Sequence, residues 1–249
     1  MPADPTRTLA LVPTYNECEN IEQMLTALRT ANPELHVLVL DDSSPDGTAD
    51  IVRRVAPALG DVAVEVRATK DGLGSAYRHG MRVAIERGYD YVVQIDADLS
   101  HDPAAIAALL AAHDDGVGVV VGSRYVPGGE IPHWPWHRRA MSKWGNRYTR
   151  WVLGLKINDT TAGFRVYRLK TVEDIGVLET KSRGYLFQIE NTYRVMLAGE
   201  RIVEVPITFT DRVRGQSKMN LAVMWEELWN VTWWGLRDRV LRRKQRRRS

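Results

Sequence analysis

Asp96 and Asp98 stand two residues apart in Asp96-Ala97-Asp98, directly after the apolar run Tyr91–Ile95. Two carboxylates at i and i+2 beyond a buried strand can converge on one hard cation, and oxygen ligands with water favour Mg2+ or Mn2+ over zinc. Such an ion can bridge a diphosphate and neutralise charge that develops on it. An Asp-x-Asp by itself is common. It gains weight from Asp42, which follows a second apolar run, Val37–Leu40, within Asp41-Asp42-Ser43-Ser44-Pro45-Asp46-Gly47-Thr48. Adjacent carboxylates repel. Ser44 or Asp46 serves as a helix cap, which leaves Asp42 for a ribose hydroxyl, a base amine or a metal.

Other clusters carry the complementary chemistry. Pro13-Thr14-Tyr15-Asn16-Glu17 closes the run Leu9–Val12. Pro13 stops that strand, Asn16 caps the next helix, Tyr15 offers a flat face to a base and Glu17 an acceptor. Arg124, in Gly122-Ser123-Arg124, is a permanent cation of a shape that suits phosphate. Arg138, Arg139 and Lys143 follow within one helical segment, and Arg212, Arg214 and Lys218 lie in a polar, Gly-containing loop. Lys70-Asp71-Gly72-Leu73-Gly74 lacks the Gly-x-x-x-x-Gly-Lys pattern of a P-loop and reads as a tight turn into a helix whose amides can touch a ligand. Acids and bases together point to one metal and more than one phosphate.

These clusters need a scaffold that brings them to one edge. Leu9–Val12, Val37–Leu40, Val62–Val66, Tyr91–Ile95 and Val117–Val121 are short, β-branched-rich and almost uncharged, as strands buried on both faces are. Helical patterns lie between them near 17–30, 46–58, 73–87 and 103–113, the last opened by the cap-and-proline pair Asp102-Pro103. Strict β-α alternation predicts a mostly parallel, doubly wound sheet, which binds ligands beyond the carboxyl ends of its strands. Residues 123–137, with three Pro, two Gly and two Trp, form a loop. A helix near Arg138–Leu153, a strand at Phe164–Tyr167, a helix near 185–198 and a strand at Ile202–Phe209 follow.

Composition excludes other classes. At 249 residues and 44% hydrophobic the chain is globular. Cys18 is its sole cysteine, so an internal disulfide and a cysteine-rich zinc site are out. A reducing cytoplasm fits. No signal peptide is visible, and no stretch reaches the ~18 apolar residues of a membrane span. Of the net charge of +3, eight Lys/Arg against one Asp between Arg237 and Ser249 contribute +7, which leaves the rest at −4.

In their order, the clusters Pro13–Glu17, Asp41–Thr48, Asp96-Ala97-Asp98-Leu99-Ser100-His101, Gly122-Ser123-Arg124-Tyr125 and Arg214-Gly215-Gln216-Ser217-Lys218 make residues 8–220 resemble the polyprenol (dolichol) phosphate mannose synthases. The resemblance implies a GT-A, Rossmann-like sheet flanked by helices and an inverting, metal-dependent transfer of mannose from GDP-mannose to polyprenyl phosphate. It also assigns roles. Pro13, Tyr15, Glu17, Leu40 and Asp42 would hold the guanosine end, and Asp96, Ala97 and Asp98 the metal–diphosphate. Ser100 would be a further, poorer metal ligand where some members carry Gln. Arg124 would sit between the donor and acceptor phosphates, Arg138 and Ser142 would grip the acceptor phosphate, and Arg212 and Lys218 would close over the donor. Asp159 opens Asp159-Thr160-Thr161-Ala162-Gly163-Phe164, facing sugar and acceptor. Asp98, Arg124, Arg138 and Asp159 are the expected catalytic set, and Asp98→Ala or Arg124→Ala is expected to abolish transfer without unfolding the chain. A phosphate monoester, with a second pKa near ~6, is already an anionic nucleophile at neutral pH, so no histidine base is needed.

The expected organisation is a GT-A domain over 1–220 and an amphipathic helix with a basic tail over 221–249. Trp225, Trp229 and Trp233 recur every four residues in that helix. It suits a membrane surface or a membrane-anchored partner protein, or packs on the core; the enzyme is expected on the cytoplasmic face of the membrane. The rival readings are a UDP-glucose-dependent polyprenyl-phosphate glucosyltransferase, a sugar nucleotidyltransferase and a nucleic-acid binder. The nucleotidyltransferase lacks its Gly-rich first loop. A nucleic-acid partner would explain only the tail and is not expected.

Overall fold

The computed structural model of the protein describes residues 2–211 and 228–237. Its elements run β1 (Thr8–Thr14), α1 (Ile21–Ala31), β2 (His36–Asp41), α2 (Thr48–Leu59), β3 (Val62–Val66), α3 (Leu73–Glu86), β4 (Tyr91–Gln94), α4 (Ile106–Ala111), β5 (Val117–Ser123), α5 (Trp136–Leu153), β6 (Arg165–Arg168), α6 (Leu169–Asp174), α7 (Gly184–Leu197) and β7 (Arg201–Pro206). The strands form one seven-stranded sheet of order β3-β2-β1-β4-β6-β5-β7. All neighbours are parallel except β6, which is antiparallel to both β4 and β5.

Side chains alternate across the sheet, so each strand feeds two cores. Ala10, Val12, Val37, Val39 and Val93 turn to one face with Ile21, Met24, Leu25 and Leu28 of α1. Leu9, Leu11, Leu38, Leu40 and Val92 turn to the other with Tyr77 and Met81 of α3 and Phe187 of α7. α3 lies so close to the sheet that a Cβ at Gly80 would stand 2.7 Å from Leu40 Cδ1 and 2.8 Å from Leu11 Cδ2. Gly80→Ala is therefore expected to cost about 1–3 kcal/mol by overpacking, seen as a lower denaturant midpoint at unchanged m.

Three expectations change. β1 does not stop at Pro13: it continues to Thr14, with Pro13 paired to Leu40. Leu11 O faces β4, accepting from Ile95 N, and β4 has ended before it reaches Pro13, so the missing donor has no partner to serve. Asn16 is not the helix cap, since α1 begins at Ile21 behind Asn20; its N–H donates to Ser44 Oγ instead. β7 ends at Pro206, and among the described residues beyond it only single bridges remain, Glu130 with Thr208 and His101 with Phe209. The cap at Asp102 holds, accepting from Ala104 N, although the first turn is a 3-10 turn.

His113 is buried at the start of this sheet, its Nε2 on Val166 O at 3.1 Å. Burial pushes its pKa down to about 4. The unfolded chain takes up that proton near pH 6.5 while the folded chain resists until about 4, so stability is expected to fall as pH drops through that window, by up to about 3 kcal/mol from this group. His113→Gln should flatten the slope of Tm against pH there.

Residues 228–237 are helical. Val231 is buried with Val152, Leu153 and Ile189, and Tyr148 and Thr232 share a 2.7 Å hydroxyl–hydroxyl hydrogen bond, which seats this helix on α5 and α7. Trp229 and Trp233 stay on its outer side, 73% and 58% exposed, so the core-packing reading does not describe them. Trp225, Arg212, Arg214, Lys218 and the basic tail lie outside the described residues.

Candidate active site

Parallel β1, β2, β4 and β5 all end at the same edge of the sheet. Because β6 runs the other way, its beginning, the segment 159–164, arrives at that edge as well. β7, parallel to β5, delivers 207–211. Strain collects here. Of the five non-glycine residues with left-handed backbone among the described residues, Asn16, Ser43 and Leu99 lie just beyond β1, β2 and β4, His133 lies in the loop after β5, and Asp61 precedes β3 at the opposite edge. Such conformations cost roughly 1–3 kcal/mol each and persist where surroundings over-determine them.

At Leu99 (φ 60°) the surroundings are visible. Asp98 Oδ1 accepts from Ser100 N at 3.1 Å and from Ser100 Oγ at 2.6 Å, closing the turn. Ser100 is 1% exposed and its hydroxyl donates to Asp98, so it orients that carboxylate. The Asp96 side chain is 29% exposed, with His101 Nε2 3.9 Å from its Oδ2. Burial holds the His101 pKa near 4, so this neighbour is neutral at physiological pH. Under the pair lies Tyr77, whose phenol pKa is raised by burial and then by the charges of Asp96 and Asp98. Among the described residues no three acidic, His or Cys side chains gather as a closed metal cage. A part-exposed and a buried carboxylate nevertheless fit Mg2+ or Mn2+, which take only one or two protein carboxylates and complete their shell with phosphate and water. Ala97, between the two, is buried and offers backbone only.

Two strands away, about 10 Å by sheet spacing, the two adjacent acids divide their work. Asp41 is structural, accepting from Thr14 Oγ1, Ser44 N and Ser44 Oγ. Asp42 pairs at 2.8 Å with Arg67 at the end of β3, both side chains about nine-tenths buried. Burial raises the Asp42 pKa, with Arg67 opposing. Lys70 Nζ sits 3.3 Å from the centroid of the Tyr15 ring. Glu17 accepts from Asn20 Nδ2. The Leu40 side chain lies in the core against α3, so only its backbone is available at this edge.

On the other flank, Arg124 and Asp159 form a two-pronged ion pair, Nε–Oδ2 and Nη2–Oδ1 both 2.7 Å, with the Arg124 amide on Oδ2 at 3.1 Å. The arginine side chain is 9% exposed and the aspartate 0%. Burial alone would lower the Arg124 pKa and raise that of Asp159. The pairing overrides it in both, holding arginine above and aspartate below the ordinary value. Asp159, fully buried, thus turns its carboxylate to Arg124. Glu204 of β7 fixes this segment by accepting from Ser123 Oγ, Asn158 N and Asp159 N. Arg138 donates to Asp211 Oδ1 at 2.9 Å and stacks 3.9 Å over Trp134. Trp134 and Phe209 also flank Arg124, at 5.8 and 5.4 Å. Ser142 Oγ accepts from Tyr125 OH at 2.7 Å.

The edge thus carries a pair of acids beyond β4, the Tyr15–Lys70 and Asp42–Arg67 pairs beyond β1–β3 and a basic, aromatic wall at β5, α5 and β7. Arg67, Trp134, Glu204 and Asp211 escaped the sequence reading. Trp134 and Asp211 carried a signal only as polar or aromatic residues in Pro-rich and post-strand loops.

The profile described as Glycosyl transferase family 2 matches residues 10–176. The chain is 46% identical over 235 residues to the polyprenol monophosphomannose synthase of Mycolicibacterium smegmatis, covering 94% of this chain and 89% of that one. It is 48% identical over 233 residues to the undecaprenyl-phosphate mannosyltransferase of Micrococcus luteus, covering 94% and 96%. Among solved structures, a Pyrobaculum calidifontis mannosyltransferase in complex with GDP-Man and Mn2+ superposes with TM-score 0.59 at 21% identity, over 87% of this chain and 60% of that one. A Mycobacterium tuberculosis glucosyl-3-phosphoglycerate synthase does so with TM-score 0.62 at 18% identity, over 90% and 76%. Both likenesses show the shared fold.

Proposed function

We propose that this chain, which belongs to glycosyl transferase family 2, transfers mannose from GDP-mannose to polyprenyl phosphate with inversion, at the cytoplasmic face of a membrane. The observation that carries this reading is near-full-length identity of 46% and 48% to two enzymes named for mannosyl transfer to polyprenyl carriers. The geometry supports it. Tyr15 and the Asp42–Arg67 pair would receive the guanosine. Asp96 and Asp98 would hold Mg2+ or Mn2+, which when bound offsets charge growing on the departing diphosphate. Arg138 and Ser142 would orient the acceptor phosphate beside Arg124.

The mechanism needs no side-chain base. The acceptor monoester is mostly dianionic at neutral pH, its second pKa being about 6. The task of the protein is to hold two anions together against their repulsion and in line for displacement. Arg124 meets that demand with its orientation fixed in advance: Nε and Nη2 are spent on Asp159 and Thr161, and among the described residues Nη1 has no partner. Trp134, Phe209 and Tyr125 wall this space from water.

The test is a transfer assay with purified protein, Mg2+ or Mn2+, labelled GDP-mannose or UDP-glucose, and a short polyprenyl phosphate. Lipid-linked mannose formed from GDP-mannose alone is expected. Equal or better transfer of glucose would overturn the reading in favour of the glucosyltransferase. No described helix is long and apolar enough to cross a membrane. A membrane surface or anchored partner is part of the proposal because the acceptor is a lipid.

A further inference from the structure

The segment 158–163 reaches the ligand edge as irregular backbone, with Asp159, Thr160 and Ala162 buried. Buried backbone needs partners, and here side chains supply them. Glu204 accepts from Asn158 N at 2.7 Å and from Asp159 N at 2.9 Å. Asn146 of α5 accepts from Thr160 N at 2.7 Å and from the Thr160 hydroxyl at 2.8 Å. Arg165, the first residue of β6, turns back on the segment. It donates through Nη2 to Thr160 O at 2.9 Å and through Nε to Ala162 O at 2.7 Å. Its Nη1 crosses to α7, where Thr192 Oγ1 accepts at 2.7 Å and Gln188 O at 3.1 Å, and Tyr167 OH is a third acceptor at 3.1 Å.

Arg165 is 0% exposed, and its five acceptors are all neutral oxygens. A guanidinium taken wholly out of water is costly even when every donor is satisfied. An apolar side chain at this place in the sheet would avoid that cost, so packing does not account for the arginine. Its planar fork does what no apolar side chain can: it fixes two carbonyls of one segment at once. That segment touches both halves of the site. At one end Asp159 makes the two-pronged pair with Arg124. Near the other, a Cβ built on Gly163 would stand 3.8 Å from Asp96 Oδ2. The charge of Arg165 is also among the influences that keep the Asp159 pKa low.

We infer that Arg165 is a positioning residue for transfer: it clamps the 158–163 segment to α7, so that Asp159 keeps Arg124 in its fixed orientation and the Gly163 backbone keeps its place beside Asp96. Being fully buried, it touches no reactant itself. The inference rests on the proposed transfer reaction and deepens it. A misplacement of about 1 Å at the reacting groups is worth about a hundredfold in rate. The clamp is therefore expected to act on kcat. It leaves the Tyr15–Lys70 and Asp42–Arg67 pairs beyond β1–β3, and with them KM for GDP-mannose, unchanged.

The experiment uses the full chain, with transfer rates taken per GDP-binding site titrated by calorimetry and backbone hydrogen exchange followed over 158–164. Arg165→Lys keeps the charge and loses the fork. Its kcat is expected to fall about a hundredfold, with KM for GDP-mannose within about twofold and with faster exchange over the segment. Tyr167→Phe/Thr192→Val covers the case in which the lysine variant does not fold. It keeps the volume of the core and leaves Nη1 with Gln188 O alone. Its kcat should fall about 25-fold, at about fivefold per neutral hydrogen bond lost. Thr192→Ser keeps the hydroxyl and loses a buried methyl, so it should melt at a lower temperature and keep the wild-type kcat. Wild-type kcat in folded Arg165→Lys or in the double variant would overturn the inference. So would rates that follow melting temperature rather than the hydroxyls. If the wild type makes no lipid-linked mannose, the transfer reading fails and hydrogen exchange decides alone. Faster exchange in the double variant but not in Thr192→Ser then upholds the clamp, and exchange unchanged in both overturns it.

Discussion

Asp98→Asn is expected to lower transfer by about a thousandfold or more while leaving the fold intact. The side chain has two separable jobs. As an acceptor it takes the Ser100 amide and hydroxyl and so stabilises the left-handed turn at Leu99. As a charge it stands beside Asp96 in a pocket where it is 4% exposed. Asparagine keeps an acceptor oxygen for Ser100 and removes the charge. It also relieves repulsion between the two acids, so the melting temperature of the apo protein should hold or rise. Alanine, by contrast, would leave two buried donors on Ser100 unpaired, at about 1–3 kcal/mol, and confuse folding with chemistry. The discriminating measurement is thermal melting with and without Mn2+ plus GDP. The wild type should gain stability by mass action, and Asp98→Asn should not. A variant that keeps more than a tenth of the wild-type rate would show that the charge is not used.

How much of this was legible in the sequence depends on the range of the interaction. Asp96 and Asp98 are local to one strand end, and a buried strand followed by i, i+2 acids is visible without coordinates. The same holds for the Asp102-Pro103 turn and for Val62–Val66, whose strand bounds coincide with the apolar run. The partner of Asp42 is another matter. Arg67 lies one strand over and meets Asp42 only through the β2–β3 register, which pairs Asp41 with Val66. The direction of β6 was hidden for a similar reason, because an apolar run reads the same both ways. That direction decides the site, since it brings 159–164 to the ligand edge. α6 was missed because its six residues follow β6 without a turn signal.

The same limit applies to Arg124. From sequence it is a free cation, and its removal should cost activity alone. In the fold it shares two hydrogen bonds with a fully buried carboxylate, and that changes the expected result. Arg124→Met should abolish transfer and also destabilise the chain by about 3–5 kcal/mol, because Asp159 is left charged and unpaired. The double variant Arg124→Met/Asp159→Leu removes both charges and should recover most of that stability without recovering transfer. The pH dependence separates the two effects. In the wild type the folded Asp159 titrates below its unfolded value, so its contribution is complete at neutral pH and is lost only as pH falls below about 4 and through the folded pKa. In Arg124→Met burial, the largest influence on this group, is opposed only by the amide at position 124, by the Thr161 hydroxyl and by the charge of Arg165; the Asp159 pKa is then expected to rise above the unfolded value, so the sign reverses and this group destabilises as pH rises. The stability gap between wild type and Arg124→Met should therefore narrow from pH 7 to pH 5, and no such narrowing should occur with the double variant. A gap independent of pH would mean that Asp159 finds another cation, and Arg124 would then be a ligand-facing charge without a positioning partner.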